Sequence, residues 1–80
     1  MSDNEQKLRQ AFANGLDIPE NEVSEDLQYA STPKWDSTAH MSLIASLDST
    51  FDIMLDTDDV IDMSSYAKAR EILTKYGITF

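Results

Sequence analysis

Between Trp35 and Tyr76 the chain contains no glycine and no proline, whereas Gly15, Pro19 and Pro33 lie in the first half and Gly77 near the end. Those two residue types are the strongest local breakers of regular structure. A second half without them favours helices, and the breakers upstream place an irregular connection at residues 16 to 36. No stretch reads as a convincing half-buried strand. The expected fold is therefore all-α: a small four-helix bundle, three longer helices and one short, with a long first loop.

Eighty residues make one small domain, 1–80. A core this modest leaves little room for a deep catalytic cleft. Fifteen Asp and Glu stand against six Lys and Arg, a net charge of −9. Such a field repels nucleic acid and anionic membrane and favours partners with basic patches. Disorder is the rival for an acidic chain, but 41% hydrophobic residues in a clear helical period argue for folding. The absence of cysteine excludes a disulfide framework and a thiolate metal site. "MSDNEQKLRQ" is polar and unlike a signal peptide, and no apolar run approaches membrane-spanning length. The expectation is a cytoplasmic monomer with no membrane span.

Ser2 and Glu5 fit a capping box, followed by the stripe Leu8, Ala11 and Phe12, with Gly15 as the stop. Leu16, Ile18, Val23, Leu27 and Trp35 are spaced to pin the loop onto a core, with one helical turn near Glu25. The second helix should run from about Ser37 to Phe51, turning His40, Leu43, Ile44, Leu47 and Phe51 inward. Thr38, Met41, Ala45 and Asp48 share a more exposed side. "DTDDVIDM" gives one or two turns, with Val60, Ile61 and Met63 as contacts. The last helix starts at Ser64 or Ser65, buries Tyr66, Ala69, Leu73 and Tyr76, and stops at Gly77.

The tripeptide Asp-Ser-Thr occurs at Asp36-Ser37-Thr38 and again at Asp48-Ser49-Thr50, so the letters alone mark nothing. A nucleophilic serine needs a base within hydrogen-bond reach and a third group to orient that base. His40 is the one candidate base, and its phase turns it into the core while Ser37 stays at the exposed helix end. A calcium loop counted from Asp56 puts Val60 fifth and Ile61 sixth, where a ligand and a glycine are required. That acidic run reads as a solvated face. Position separates the two Asp-Ser copies. Asp36 suits an N-cap, which makes Ser37 the first helical residue, where unpaired N–H groups tolerate an attached phosphate. Ser49 lies inside the helix, where those groups are used. A plain N-cap with no chemistry is the simpler reading of the same residues.

"WDSTAHMSLIASLDSTFDI", followed by an acidic short helix and "SSYAKAREIL", resembles an acyl carrier protein over nearly the whole chain. Met41, Leu43, Ile44, Leu47 and Phe51 follow the Asp-Ser pair in that family's register. The Trp before the pair and His40 after it look like the free-standing, specialised carriers. The chain departs from the family at Thr38, where Leu or Met is usual, and at Lys34, where Gly is usual. Ser42 and Ser49 stand where housekeeping carriers have glutamates. The resemblance implies a non-enzymatic carrier with 4′-phosphopantetheine on Ser37. The arm's thiol would hold an acyl or aminoacyl group as a thioester, with the prosthetic group supplying the sulfur the chain lacks. It implies that Asp36 helps a phosphopantetheinyl transferase position magnesium and cofactor. Partners would be that transferase, loading ligases or synthases, and acyltransferases with basic docking patches. Thr38, Met41 and Ala45, ringed by Asp48, Asp56, Asp58 and Asp59, are the expected partner face. The alternatives are an acidic helical interaction module without an arm, and a small hydrolase using Ser37.

Overall fold

The computed structural model describes residues 3–31 and 33–80. Ser2, expected to cap the first helix, lies outside them. Among the described residues four α-helices form: α1 (Asp3–Leu16), α2 (Ser37–Phe51), α3 (Thr57–Asp62) and α4 (Tyr66–Lys75), with a 3-10 turn at Glu20–Glu22. Among the described residues there is no strand, and an isolated antiparallel bridge joins Gln28 to Ser65. The all-α bundle of three longer helices and one short one is thus the observed fold. No helix among the described residues is long and apolar enough to cross a membrane.

The core is centred on Phe12, which meets Trp35 edge-on at 5.5 Å and Tyr66 at 5.0 Å between ring centroids. Leu8, Leu43, Leu47 and Leu73 complete it, each fully buried. The α2 stripe is as expected for Leu43, Ile44 and Leu47, and α4 adds Ile72 to Tyr66, Ala69 and Leu73. Ile61 was expected to pack inward but is 73% exposed, whereas Met63 is 1% exposed. The inward side of this short helix is taken by Asp59 and, half-buried, Val60, which leaves Ile61 turned to solvent.

Gly15 does not stop α1. The helix continues through Leu16, and a Cβ added at Gly15 would lie 2.5 Å from Leu43 Cα. The glycine lets α1 and α2, the principal helix pair, approach backbone to backbone. Asp17 supplies the left-handed residue instead, at φ 56°, and Ile18 N–H bonds Ala13 C=O at 3.0 Å. This six-to-one closure recurs after α2, with Asp52 at φ 54° and Ile53 N–H on Asp48 C=O at 3.0 Å. Only after α4 does glycine take the role, with Gly77 at φ 87° and Ile78 N–H on Leu73 C=O at 3.3 Å.

The long connection is ordered by its own side chains and by the helices. Val23 and Trp35 are buried, with Ile18 and Leu27 half-buried against the core. Arg9 Nη1 donates to Val23 C=O at 2.6 Å, and Gln6 to Glu20 at 2.7 Å. Tyr29 N–H bonds Ser64 C=O and Tyr66 N–H bonds Leu27 C=O, at 2.8 and 2.9 Å. The helical turn lies at Glu20–Glu22 and not near Glu25. Glu25 instead meets Arg70 at 2.9 Å, and Arg70 also reaches Glu5 at 3.0 Å. One α4 cation thereby ties both α1 and the loop to the bundle.

Candidate functional site

Asp36 is the N-cap of α2: its backbone is extended and its Oδ1 accepts from Ala39 N–H at 2.8 Å. Asp36 C=O accepts the first helical bond, from His40 N–H at 2.8 Å. The amides of Ser37 and Thr38 therefore precede the helix's own ladder, and both side chains are exposed. Ser37 presents a hydroxyl to solvent at the positive end of the helix dipole.

His40 is half-buried behind this point, with both ring nitrogens engaged. Trp35 Nε1–H donates to Nδ1 at 3.0 Å, which places the ring proton on Nε2, 2.8 Å from Val60 C=O. The indole and imidazole planes lie within 19° of each other, consistent with the in-plane hydrogen bond, and Tyr29 stands edge-on to both rings. With both nitrogens occupied, Ser37 has no base there. The histidine joins the loop, α2 and α3 in one polar chain.

An apolar groove of about 390 Å³ opens beside Ser37, lined by Tyr29, His40, Met41, Val60, Ile61, Met63 and Ser64 as well. From sequence, Tyr29 carries no assignment, Ile61 is expected as a core contact and Ser64 as a possible helix cap, none of them as part of a site. Tyr29 lies in an aperiodic segment, and Ile61 reads equally well as core. A second hollow, of about 370 Å³, lies on the loop side, between Tyr29, Pro33, Trp35 and Ser37.

Of the expected partner face, Thr38, Met41 and Ala45 are exposed on successive turns of α2, Met41 at 61%. Asp56 and Asp58 are exposed at the start of α3. Asp59 is not part of that face. It is 7% exposed and accepts from Lys75 Nζ at 2.7 Å and Tyr76 O–H at 2.6 Å. The Lys75 and Tyr76 hydrogen bonds hold its carboxyl below the usual range and, reciprocally, raise Lys75 and Tyr76. Tyr76 Oη also accepts from Asp56 N–H at 2.9 Å. Asp59 anchors α3 to α4. Asp48 is also removed from the patch near Ser37. It sits eleven residues along α2, about 16 Å at helical rise, and its Oδ1 accepts from Leu55 N–H at 3.2 Å. Its task is to fold the chain back after the helix end.

Compared with models of known protein families, the chain matches none. The geometry stands on its own. It offers the exposed Ser37 hydroxyl at the first position of a capped helix, free backbone amides beside it, an apolar groove at its side and carboxylates on the neighbouring short helix. Among the described residues no group of three or more His, Asp and Glu side chains is arranged to hold a metal ion.

Proposed function

We propose that the protein is a prosthetic-group carrier, modified on Ser37 Oγ by 4′-phosphopantetheine and presenting an acyl or aminoacyl thioester to partner enzymes. The observation that supports this most is the exposed Ser37 at the first position of α2, beside the Asp36 cap. The fit to the group is chemical. An attached phosphodiester at that position meets the unpaired amides of Ser37 and Thr38 and the positive helix end. Its neighbours Asp36 and Thr38 are exposed, so a modifying enzyme has access. The prosthetic group, when bound, supplies the thiol on which cargo is held.

The chain's own contribution is attachment and presentation. Asp36 fixes the helix start through Oδ1, leaving Oδ2 outside the cap bond for the transferase's magnesium. Met41 and Ala45 give an apolar strip beyond the serine, and Asp56 and Asp58 add negative charge suited to basic patches. A second reading, an interaction module without an arm, draws on the same exposed Met41 and Ile61. Intact mass after incubation with a broad-specificity phosphopantetheinyl transferase and coenzyme A separates them. A gain of one phosphopantetheinyl group supports the carrier. An unchanged mass, with a known carrier fully modified in the same reaction, leaves the module.

A further inference from the structure

A group attached through Ser37 has three directions open to it: outward along the apolar groove, outward into the loop-side hollow, whose lining includes Ser31 and Asp36 and suits apolar cargo less, or inward between the helices. We propose that Trp35 closes the inward route, so that cargo lodges only in the outer groove and belongs to a class of short acyl or aminoacyl groups. The proposal rests on the carrier reading.

Trp35 immediately precedes the Asp36-Ser37 pair and is 0% exposed. Its ring packs edge-on against Phe12, at 5.5 Å, in the centre of the core, and lies side by side with the His40 ring, 6.1 Å between centroids and 19° from coplanar. It is held by more than packing. The indole N–H is bonded to His40 Nδ1 at 3.0 Å, and the backbone C=O accepts from Ala30 N–H at 3.1 Å. Swinging the ring aside to admit a chain would leave a buried donor and acceptor unpaired and break the aromatic contacts. The seam between α2 and α3 is closed by the same chain of bonds, because His40 Nε2–H reaches Val60 C=O at 2.8 Å. Parting those helices would break that bond as well.

The groove outside this barrier is small. Its volume of about 390 Å³ falls toward the low end of small-molecule pockets, ~300–1,000 Å³. Buried Met63 forms part of its lining, and Met41 and Ile61 are exposed. A short group can rest against Met41, Val60 and Ile61. A long alkyl chain would leave most of its apolar surface in water, which is unfavourable in proportion to area.

The test loads wild type and Trp35→Leu from acetyl- and palmitoyl-coenzyme A with a broad-specificity transferase, each product verified by intact mass. Methyl NMR spectra and melting temperatures are then compared. In wild type, both cargoes should shift Met41 and Ile61 but not Leu8 or Leu47, and the two loaded forms should melt alike. In Trp35→Leu, palmitoyl cargo should shift the core leucines and raise Tm over the acetyl form by ~4 °C or more, the response of a small domain to a modest gain in stability. Core shifts or a raised Tm in palmitoylated wild type would overturn the proposal. So would a folded Trp35→Leu that responds to palmitoyl cargo no differently from wild type. If that variant does not fold, the wild-type comparison decides. Absence of any mass gain on wild type would remove the carrier reading itself, and this proposal with it.

Discussion

At the scale of single residues, Gly15 and His40 carry structural roles that their chemistry does not advertise. Alanine at Gly15 would gain about 0.5–1 kcal/mol in helix propensity. Its Cβ, however, would meet Leu43 Cα at 2.5 Å, and a backbone atom in a packed helix pair has nowhere to go. Gly15→Ala is therefore expected to lower stability by about 1–3 kcal/mol, read as a fall in Tm of ~4–8 °C per kcal/mol. A rise in Tm would show that α1 and α2 separate freely. His40→Ala strands the Trp35 indole N–H and the Val60 carbonyl and should cost about 1–3 kcal/mol in denaturant unfolding. Modification of Ser37 should persist wherever this variant is folded. Unchanged stability with lost modification would instead make His40 a participant at the serine.

At the scale of elements, α3 is six residues long, too short to hold itself, and depends on its ties to α2, through Val60 and His40, and to α4. Asp59 provides the charged tie to α4. Because Lys75 and Tyr76 depress its carboxyl from the ordinary 3.8, the folded state binds fewer protons there than the unfolded state. Its contribution is fully present above the ordinary value and disappears as pH falls through the lowered one. Repulsion among the other carboxylates also relaxes in acid, so the difference between two profiles isolates the effect. Asp59→Asn should melt below wild type at neutral pH and converge on it in acid, measured as Tm from about pH 6 to 2. Parallel profiles would show that the tie is not ionic. On the alkaline side the signs reverse. Burial, with the Glu5 carboxylate second, pushes Tyr66 from 10.0 up to about 12, and Asp59 raises Lys75 from 10.5. Both contributions are present below the ordinary values and lost above the raised ones. The sequence showed where α2, α4 and the cap Asp36 lie, because apolar spacing and capping chemistry are local, and it left Ser64 and Ser65 as alternatives for the α4 cap, which Ser65 takes. It could not separate Asp59 from Asp58, or Val60 from Ile61, because in six residues only the partner helix decides which faces inward. Gly15 was misread for a related reason: a stop and a close crossing call for the same residue.

At the scale of the whole molecule, the proposed carrier combines an acidic field with a small apolar strip. Steering by charge should speed encounter with a basic partner, whereas apolar contact should slow release. Asp58→Lys is expected to slow association with a loading enzyme and flatten its salt dependence, and Met41→Glu to shorten the lifetime of the complex. Binding kinetics at two salt concentrations check both, and unchanged rates in both variants would place docking elsewhere. The groove was only partly legible beforehand: Ser37 and Met41 follow from helical phase, but Tyr29 arrives through a loop with no period. The central claim remains that position, not the tripeptide, makes Ser37 special, since Ser49 sits in the same Asp-Ser-Thr context in the last turn of the same helix and is also exposed. Intact mass of wild type, Ser37→Ala and Ser49→Ala after transferase and coenzyme A treatment tests it most directly. The expected result is one phosphopantetheinyl group on wild type and on Ser49→Ala, and none on Ser37→Ala. Modification persisting in Ser37→Ala, or lost in a folded Ser49→Ala, would contradict it.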